Sequence, residues 1–245
     1  MQNMRSLLLT IILFLSTSNA FAGWFRCHVY KGQIAGAKVH MYLQLRDINA
    51  ESKDTIPISG VYKYDNYNEP IELRGVLIRN KTLELIEYYN NIPSAKMSLE
   101  WNESLLVGAW VSKNKSCKMM LNKINSLIDT EREGVNSSTE ILMKSSFKAE
   151  YLVGLYYKER GDQRARLSEL KVISKKTNEI KQVIKFNRDE PPTGNISTII
   201  FEAIRVWENF DKGELAIEVE VEDGGHGGQT FFMTYNKDAN RFIKD

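Results

Sequence analysis

The chain has 245 residues, 33 basic and 31 acidic side chains, a formal net charge of +2, three histidines and two cysteines. This near-neutral balance argues against nucleic acid as the main partner, which calls for a basic excess on one face. The length leaves room for two domains of about 100 to 150 residues each.

The first 22 residues read as a secretory signal peptide. Arg5 precedes a continuous apolar run from Leu7 to Leu15, and a polar stretch leads to Ala20-Phe21-Ala22, the small-x-small pattern that signal peptidase reads. The run is shorter than the roughly 20 apolar residues a membrane helix needs. Gly23 is the expected new N-terminus, and no lipidated cysteine stands there. The expectation is a bacterial periplasmic or secreted protein with no membrane insertion after cleavage.

Residues 23–123 read as about eight short strands separated by turn signals: Phe25–Tyr30, Lys38–Arg46, Ile58–Tyr64, Ile71–Arg79, Leu83–Tyr89, Ala95–Trp101, Leu105–Ser112 and Cys117–Lys123. In the second, Val39, Met41, Leu43 and Leu45 alternate with His40, Tyr42, Gln44 and Arg46. Such a sequential meander closes most economically into an antiparallel up-and-down barrel or a strongly curled sheet, which removes its exposed edges. In an oxidising compartment, Cys27 and Cys117 are expected to form one disulfide tying the first strand to the last. A loop of that length, about 90 residues, would contribute roughly 4 to 5 kcal/mol. A redox or metal role lacks the CxxC or His/Cys cluster it needs.

Ile124, Leu127 and Ile128 hint at one helical turn, and residues 124–139 read as a polar linker. A second antiparallel β domain is expected over 140–245, with strands at Phe147–Lys158, Arg166–Ser174, Ile180–Phe186, Thr198–Trp207, Leu215–Glu222, Thr230–Asn236 and Arg241–Lys244. Leu215, Ile217, Val219 and Val221 make one face of their strand, and Glu214, Ala216, Glu218, Glu220 and Glu222 make the other.

The stretch Leu170 to Phe186, then Asn209-Phe210-Asp211, then Phe232 to Phe242 resembles a family of bacterial periplasmic β proteins that includes inhibitors of lysozyme-like peptidoglycan hydrolases and immunity proteins against such toxins. The resemblance implies a protein-binding function. The family's acidic loop looks like a calcium site, but Trp207, Lys212 and Leu215 replace its first Asp, its Gly and its last Asp, so Asn209, Asp211 and Glu214 are weak calcium candidates. Otherwise no cofactor is expected. In the N-terminal half, Tyr30-x-Gly32-x-Ile34-x-Gly36 and Ser59-Gly60-Val61-Tyr62-x-Tyr64 are similar to repeats in uncharacterised exported β domains, which imply no activity.

The sequence lacks GxSxG, HExxH, P-loop and GxGxxG patterns, so no catalytic residues are expected. His28 and His40 lie on neighbouring strands and both read as polar-face residues; a metal pair there lacks a third ligand. Glu84 and Glu87 have an odd separation, so a regular strand puts them on opposite faces, excluding a paired acid/base role. Trp101, Trp110 and Trp207 read as core or barrel-end residues rather than a sugar-binding surface. Two features suit recognition of a protein partner. Glu218, Glu220 and Glu222 form a like-charged ladder, to be offset by basic residues on adjacent strands or by a basic partner. Gly225, His226 and Gly227 lie in a glycine-rich loop able to enter a catalytic cleft. The reading is a non-enzymatic inhibitor or immunity protein against a peptidoglycan-degrading enzyme. The alternative is a periplasmic carrier that holds a small ligand or glycan in the N-terminal barrel, and a hydrolase with an unrecognised site comes last.

Overall fold

A computed structural model describes residues 26–45, 54–113, 115–128, 137–158, 165–186, 195–196, 200–201, 203–209, 214–222 and 228–244. The expected signal peptide lies outside them. Every helix or strand among the described residues is a strand, and none is a helix able to cross a membrane.

Eight strands form a closed antiparallel barrel in sequential order: β1 (Arg26–Ile34), β2 (Ala37–Leu45), β3 (Thr55–Tyr64), β4 (Tyr67–Ile78), β5 (Thr82–Tyr89), β6 (Ile92–Asn102), β7 (Leu105–Ser112) and β8 (Lys115–Ile128), with β8 returning to pair with β1. The period-two pattern explains the closure. Val39, Met41 and Leu43 of β2, Leu73 and Leu77 of β4, Leu83 and Leu85 of β5, Met97 and Leu99 of β6, and Met119 and Leu121 of β8 all turn inward and pack as one buried cluster. Two-residue turns hold the register. Asn90 and Asn91 both adopt positive φ (50° and 61°), the mirror-image turn that matches the twist of a hairpin and that asparagine tolerates. Glycine lets the wall bend tightly: a Cβ at Gly75 would lie 1.9 Å from the Glu84 carbonyl oxygen on the next strand.

The expected disulfide is absent: both cysteines are free. Antiparallel closure is the reason, because the start of β1 meets the end of β8. Cys27 stands opposite Leu127, whereas Cys117, near the start of β8, stands opposite Trp110 on β7. The ten positions from Cys117 to Leu127 span roughly 33 Å of strand, against the Cα separation of under about 7 Å that a disulfide allows. The two thiols also take opposite faces of the wall. Cys27 is buried in the core outside the barrel, while Cys117 shares the inward alternation of Met119 and Leu121.

β8 continues through Ile124, Leu127 and Ile128, where the spacing suggested a helical turn. Pairing with β1 and burial of Leu127 outside the barrel hold this end extended.

Beyond it, β9 (Ser137–Ser146), β10 (Glu150–Lys158), β11 (Arg166–Ser174) and β12 (Ile180–Lys185) form a four-stranded antiparallel sheet in the order β12-β11-β10-β9. The last sheet contains β13 (Asn195–Ile196), β14 (Ile204–Asn209), β15 (Glu214–Glu222), β16 (Gly228–Asn236) and β17 (Arg241–Lys244), with β13 and β14 end to end along one edge of β15. One apolar core joins both sheets to the outer barrel wall. It contains Cys27, Val61 and Leu127 of the barrel, Leu152, Leu170 and Val172 of the four-stranded sheet, and Ile217, Val219, Met233 and Phe242 of the five-stranded sheet.

Polar contacts fix the same assembly. Lys144 pairs with Glu72 (3.3 Å) and Lys175 with Glu69 (2.8 Å) across the barrel boundary. The Ile200 N–H donates to the buried Gln44 Oε1 at 2.8 Å. The Gln182 amide serves both the N–H and the C=O of Phe242 (2.8 and 2.9 Å), standing in for a neighbouring strand on the open edge of β17.

Candidate functional site

The alternation of β15 puts Ile217 and Val219 in the core and Ala216, Glu218 and Glu220 on the outer face of the five-stranded sheet. Register then decides which side chains join them. Arg205 and Trp207 of β14 stand opposite Glu218 and Ala216, and Phe232 of β16 stands opposite Glu218 on the other side. Arg205 bridges two carboxylates, Nη1 to Glu218 Oε1 and Nη2 to Glu220 Oε2, both at 3.2 Å. The Trp207 indole N–H donates to the remaining Glu218 oxygen at 2.8 Å.

The expected ladder is therefore not a free acidic stripe. Glu218 is only 8% exposed, its charge held by an arginine on the adjacent strand. The exposed groups are aromatic and aliphatic instead: Trp207 at 56%, Phe232 at 45% and, on β17, Ile243. Ala216 contributes only a methyl group beside the indole, and the Glu218 hydrogen bond fixes the edge of the ring. The result is a rigid aromatic platform around a partly desolvated ion cluster. Such a surface loses little side-chain entropy when a partner covers it.

The remaining candidates fall as follows. Gly225, His226, Gly227 and Asp211 lie outside the described residues. Glu222 pairs through its backbone with Asn195 and Gly228. Asn209 and Glu214 face each other at the end of the β14–β15 ladder, and Glu208 accepts the Lys148 N–H at 2.7 Å. Among the described residues no group of three His, Cys, Asp or Glu side chains is placed to hold a metal ion.

The barrel separates the other pairs considered. His28 turns inward and His40 outward, where His40 Nδ1 lies 2.7 Å from Asp65 Oδ1, so the pair cannot share a metal. His28 is not on a polar face: it is 2% exposed, beside Tyr30 and Trp101, and neither ring nitrogen has a hydrogen-bond partner. Burial, reinforced by Lys123, lowers its pKa to about 4. Glu84 and Glu87 do lie on opposite faces. Glu84 accepts the Ser98 hydroxyl at 2.5 Å outside, and Glu87 is buried inside, where sequence reasoning had assigned it no part. Its carboxylate accepts Tyr62 Oη (2.5 Å), Trp110 Nε1 (2.9 Å) and Ser94 Oγ (2.6 Å). Burial first, then Glu87, pushes the Tyr62 hydroxyl far up.

A cleft of about 300 Å³ opens between the two sheets, floored by Val172, Leu215 and Phe242 and edged by the Glu150–Lys181 ion pair. Its polar groups are engaged with one another, as Tyr235 is with Asn240.

No family model matches the chain, and the search of curated proteins finds no match.

Proposed function

We propose that this is an exported, non-catalytic binding protein that inhibits, or gives immunity against, a peptidoglycan-degrading enzyme, and that it docks through the outer face of the five-stranded sheet. The observation that carries the reading is the Trp207–Glu218–Arg205 cluster: an exposed indole fixed by a buried carboxylate, with Phe232 beside it. Trp and Arg are the residue types that concentrate binding energy at protein interfaces, above all where their geometry is set before binding. Glu220, half-buried, shares Arg205 with Glu218, so the cluster has one acidic side chain more than basic ones, which suits a basic partner, and hydrolases that act on an anionic wall are commonly cationic. The motif resemblance from Leu170 to Phe242 supports the same class of partner. The alternative, a carrier with its ligand inside the barrel, is supported less, since Leu43, Leu73, Leu99 and their neighbours already occupy the interior.

The test is a wall-lysis turbidity assay with residues 23–245 against a panel of muramidases and amidases, followed by direct binding measurements. Stoichiometric inhibition is expected, with Trp207→Ala weakening binding about 30-fold, the effect of a ~2 kcal/mol interface anchor. Charge reversal at Glu220 should slow association. No binding to any hydrolase by the folded protein would sink the reading.

A further inference from the structure

The barrel mouth on the side of the Asn90–Asn91 turn combines three features that no structural role requires together. The inward face of β5 runs Leu83, Leu85, Glu87, Tyr89. The first three are buried, and Tyr89 is 55% exposed. Glu87 is thus the last covered rung, and solvent begins one rung higher, about 7 Å along the strand. Around it stand Trp110, directly across from Cys117, and Tyr62 and Tyr64, whose ring centroids are 5.5 Å apart. Ile92, also exposed, faces Tyr89 across the hairpin.

The second feature is charge. All three side-chain partners of Glu87 are neutral donors, and no Lys, Arg or His among the described residues forms an ion pair with it. A buried carboxylate is ordinarily paired with a cation. Here three hydrogen bonds hold the carboxyl group in place, and none of them comes from a cation among the described residues.

The third feature is the lining. Tyrosine and tryptophan rings present their negative faces to a cation, and an aromatic surround with one carboxylate is the chemistry that selects alkylammonium and guanidinium groups over metal ions. We propose that this mouth is a binding site for an organic cation, an alkylammonium or guanidinium group, seated between the Glu87 and Tyr89 rungs against Tyr64 and Trp110. The site is independent of the sheet face described above. Its ligand is either a free amine or a lysine or arginine side chain of a peptide.

Cys117 supplies the probe. It lies on the inward face beside Trp110 and is partly exposed, whereas Cys27 is buried in the core. Burial pushes the Tyr64 hydroxyl upward, its hydrogen bond with Tyr62 opposing the rise and the neighbouring Glu87 and Cys117 adding to it. The experiment measures the rate at which folded residues 23–245 react at Cys117 with a trimethylammonium-bearing and with a sulfonate-bearing methanethiosulfonate, each relative to free cysteine. The cationic reagent should be favoured at least tenfold beyond its preference for free cysteine. Glu87→Gln should abolish that excess. Millimolar tetramethylammonium or methylguanidinium, or Gly-Lys-Gly and Gly-Arg-Gly peptides, should protect the thiol, and Tyr89→Ala should weaken protection several-fold. Tyr89 is exposed, so this variant carries the test if Glu87→Gln does not fold. Protection by the free cations identifies a small-molecule ligand, and protection by the peptides alone identifies a side chain. A charge preference equal to that of free cysteine, or no protection by any cation, overturns the proposal.

Discussion

Each end of the barrel buries a polar side chain, Glu87 at one and His28 at the other, and the two are treated in opposite ways. At one end Glu87 receives three hydrogen bonds from Tyr62, Ser94 and Trp110. At the other, His28 sits against Tyr30 and Trp101 with both nitrogens unpartnered, while Arg26 and Lys123 approach Glu103 at 3.9 Å nearby. The same barrel thus holds a polar group made tolerable by donors and another kept neutral by its surroundings. A buried polar group costs little when its partners are present and roughly 1 to 3 kcal/mol when they are missing. By this measure the Glu87 end is stabilised by its network, and the His28 end carries a built-in penalty.

Substitution at each end separates the two cases. Glu87→Leu removes the acceptor of the Tyr62 hydroxyl and of the Trp110 indole N–H and leaves the Ser94 hydroxyl only the longer bond to the backbone carbonyl of residue 87, and should lower the unfolding free energy in urea by about 4 kcal/mol, a few kcal/mol being expected for several weakened or orphaned buried donors. A loss below about 1 kcal/mol would break the comparison, because the network would then contribute nothing.

The next largest effect is that of pH on the other end. The folded pKa of His28, about 4, lies below the 6.5 of an ordinary histidine, through burial first and Lys123 second, with Arg26 acting in the same sense and Glu103 opposing. Protonation therefore favours the unfolded chain. The His28 contribution is fully present above about pH 6.5 and is lost as pH falls toward 4, by roughly 3 kcal/mol in all. His28→Leu should flatten that part of the stability-versus-pH curve and raise stability at pH 7 by about 1 kcal/mol. An unchanged acid slope in the variant would assign the loss to other groups.

The smallest effect concerns the thiols. Two free cysteines predict that dithiothreitol changes the unfolding free energy by less than about 0.5 kcal/mol, whereas a disulfide closing so long a loop would contribute several kcal/mol. Cys117 should titrate with a thiol reagent in the folded protein, and Cys27 only after denaturation. A stability loss of several kcal/mol on reduction would show that the two cysteines do pair.

Alternation made most of the strands legible. β2, with Val39, Met41 and Leu43 inward, and β15, with Ile217 and Val219 inward, are readable because each buries a single type of face. β9 is the counterexample. Its Ile141, Leu142 and Met143 are consecutive and all buried, so the strand is covered on both sides and its period-two signal vanishes. The carboxylate ladder was readable as a row on one face, but its neutralisation by Arg205 and its aromatic flanks were not, since they depend on which residues of β14 and β16 stand opposite.

The sequence by itself determined the all-β class, the eight-strand meander and the face on which each alternating residue falls, because these follow from local period and turn chemistry. Only the tertiary structure decided what lies beyond each face. Closing β8 onto β1 converted one face of His28 and Glu87 into the barrel interior and set the cysteines at opposite ends and on opposite sides of the wall. The reason is physical: a strand's two faces are equivalent until a neighbouring layer takes one of them out of water, and the packing of distant segments chooses that neighbour.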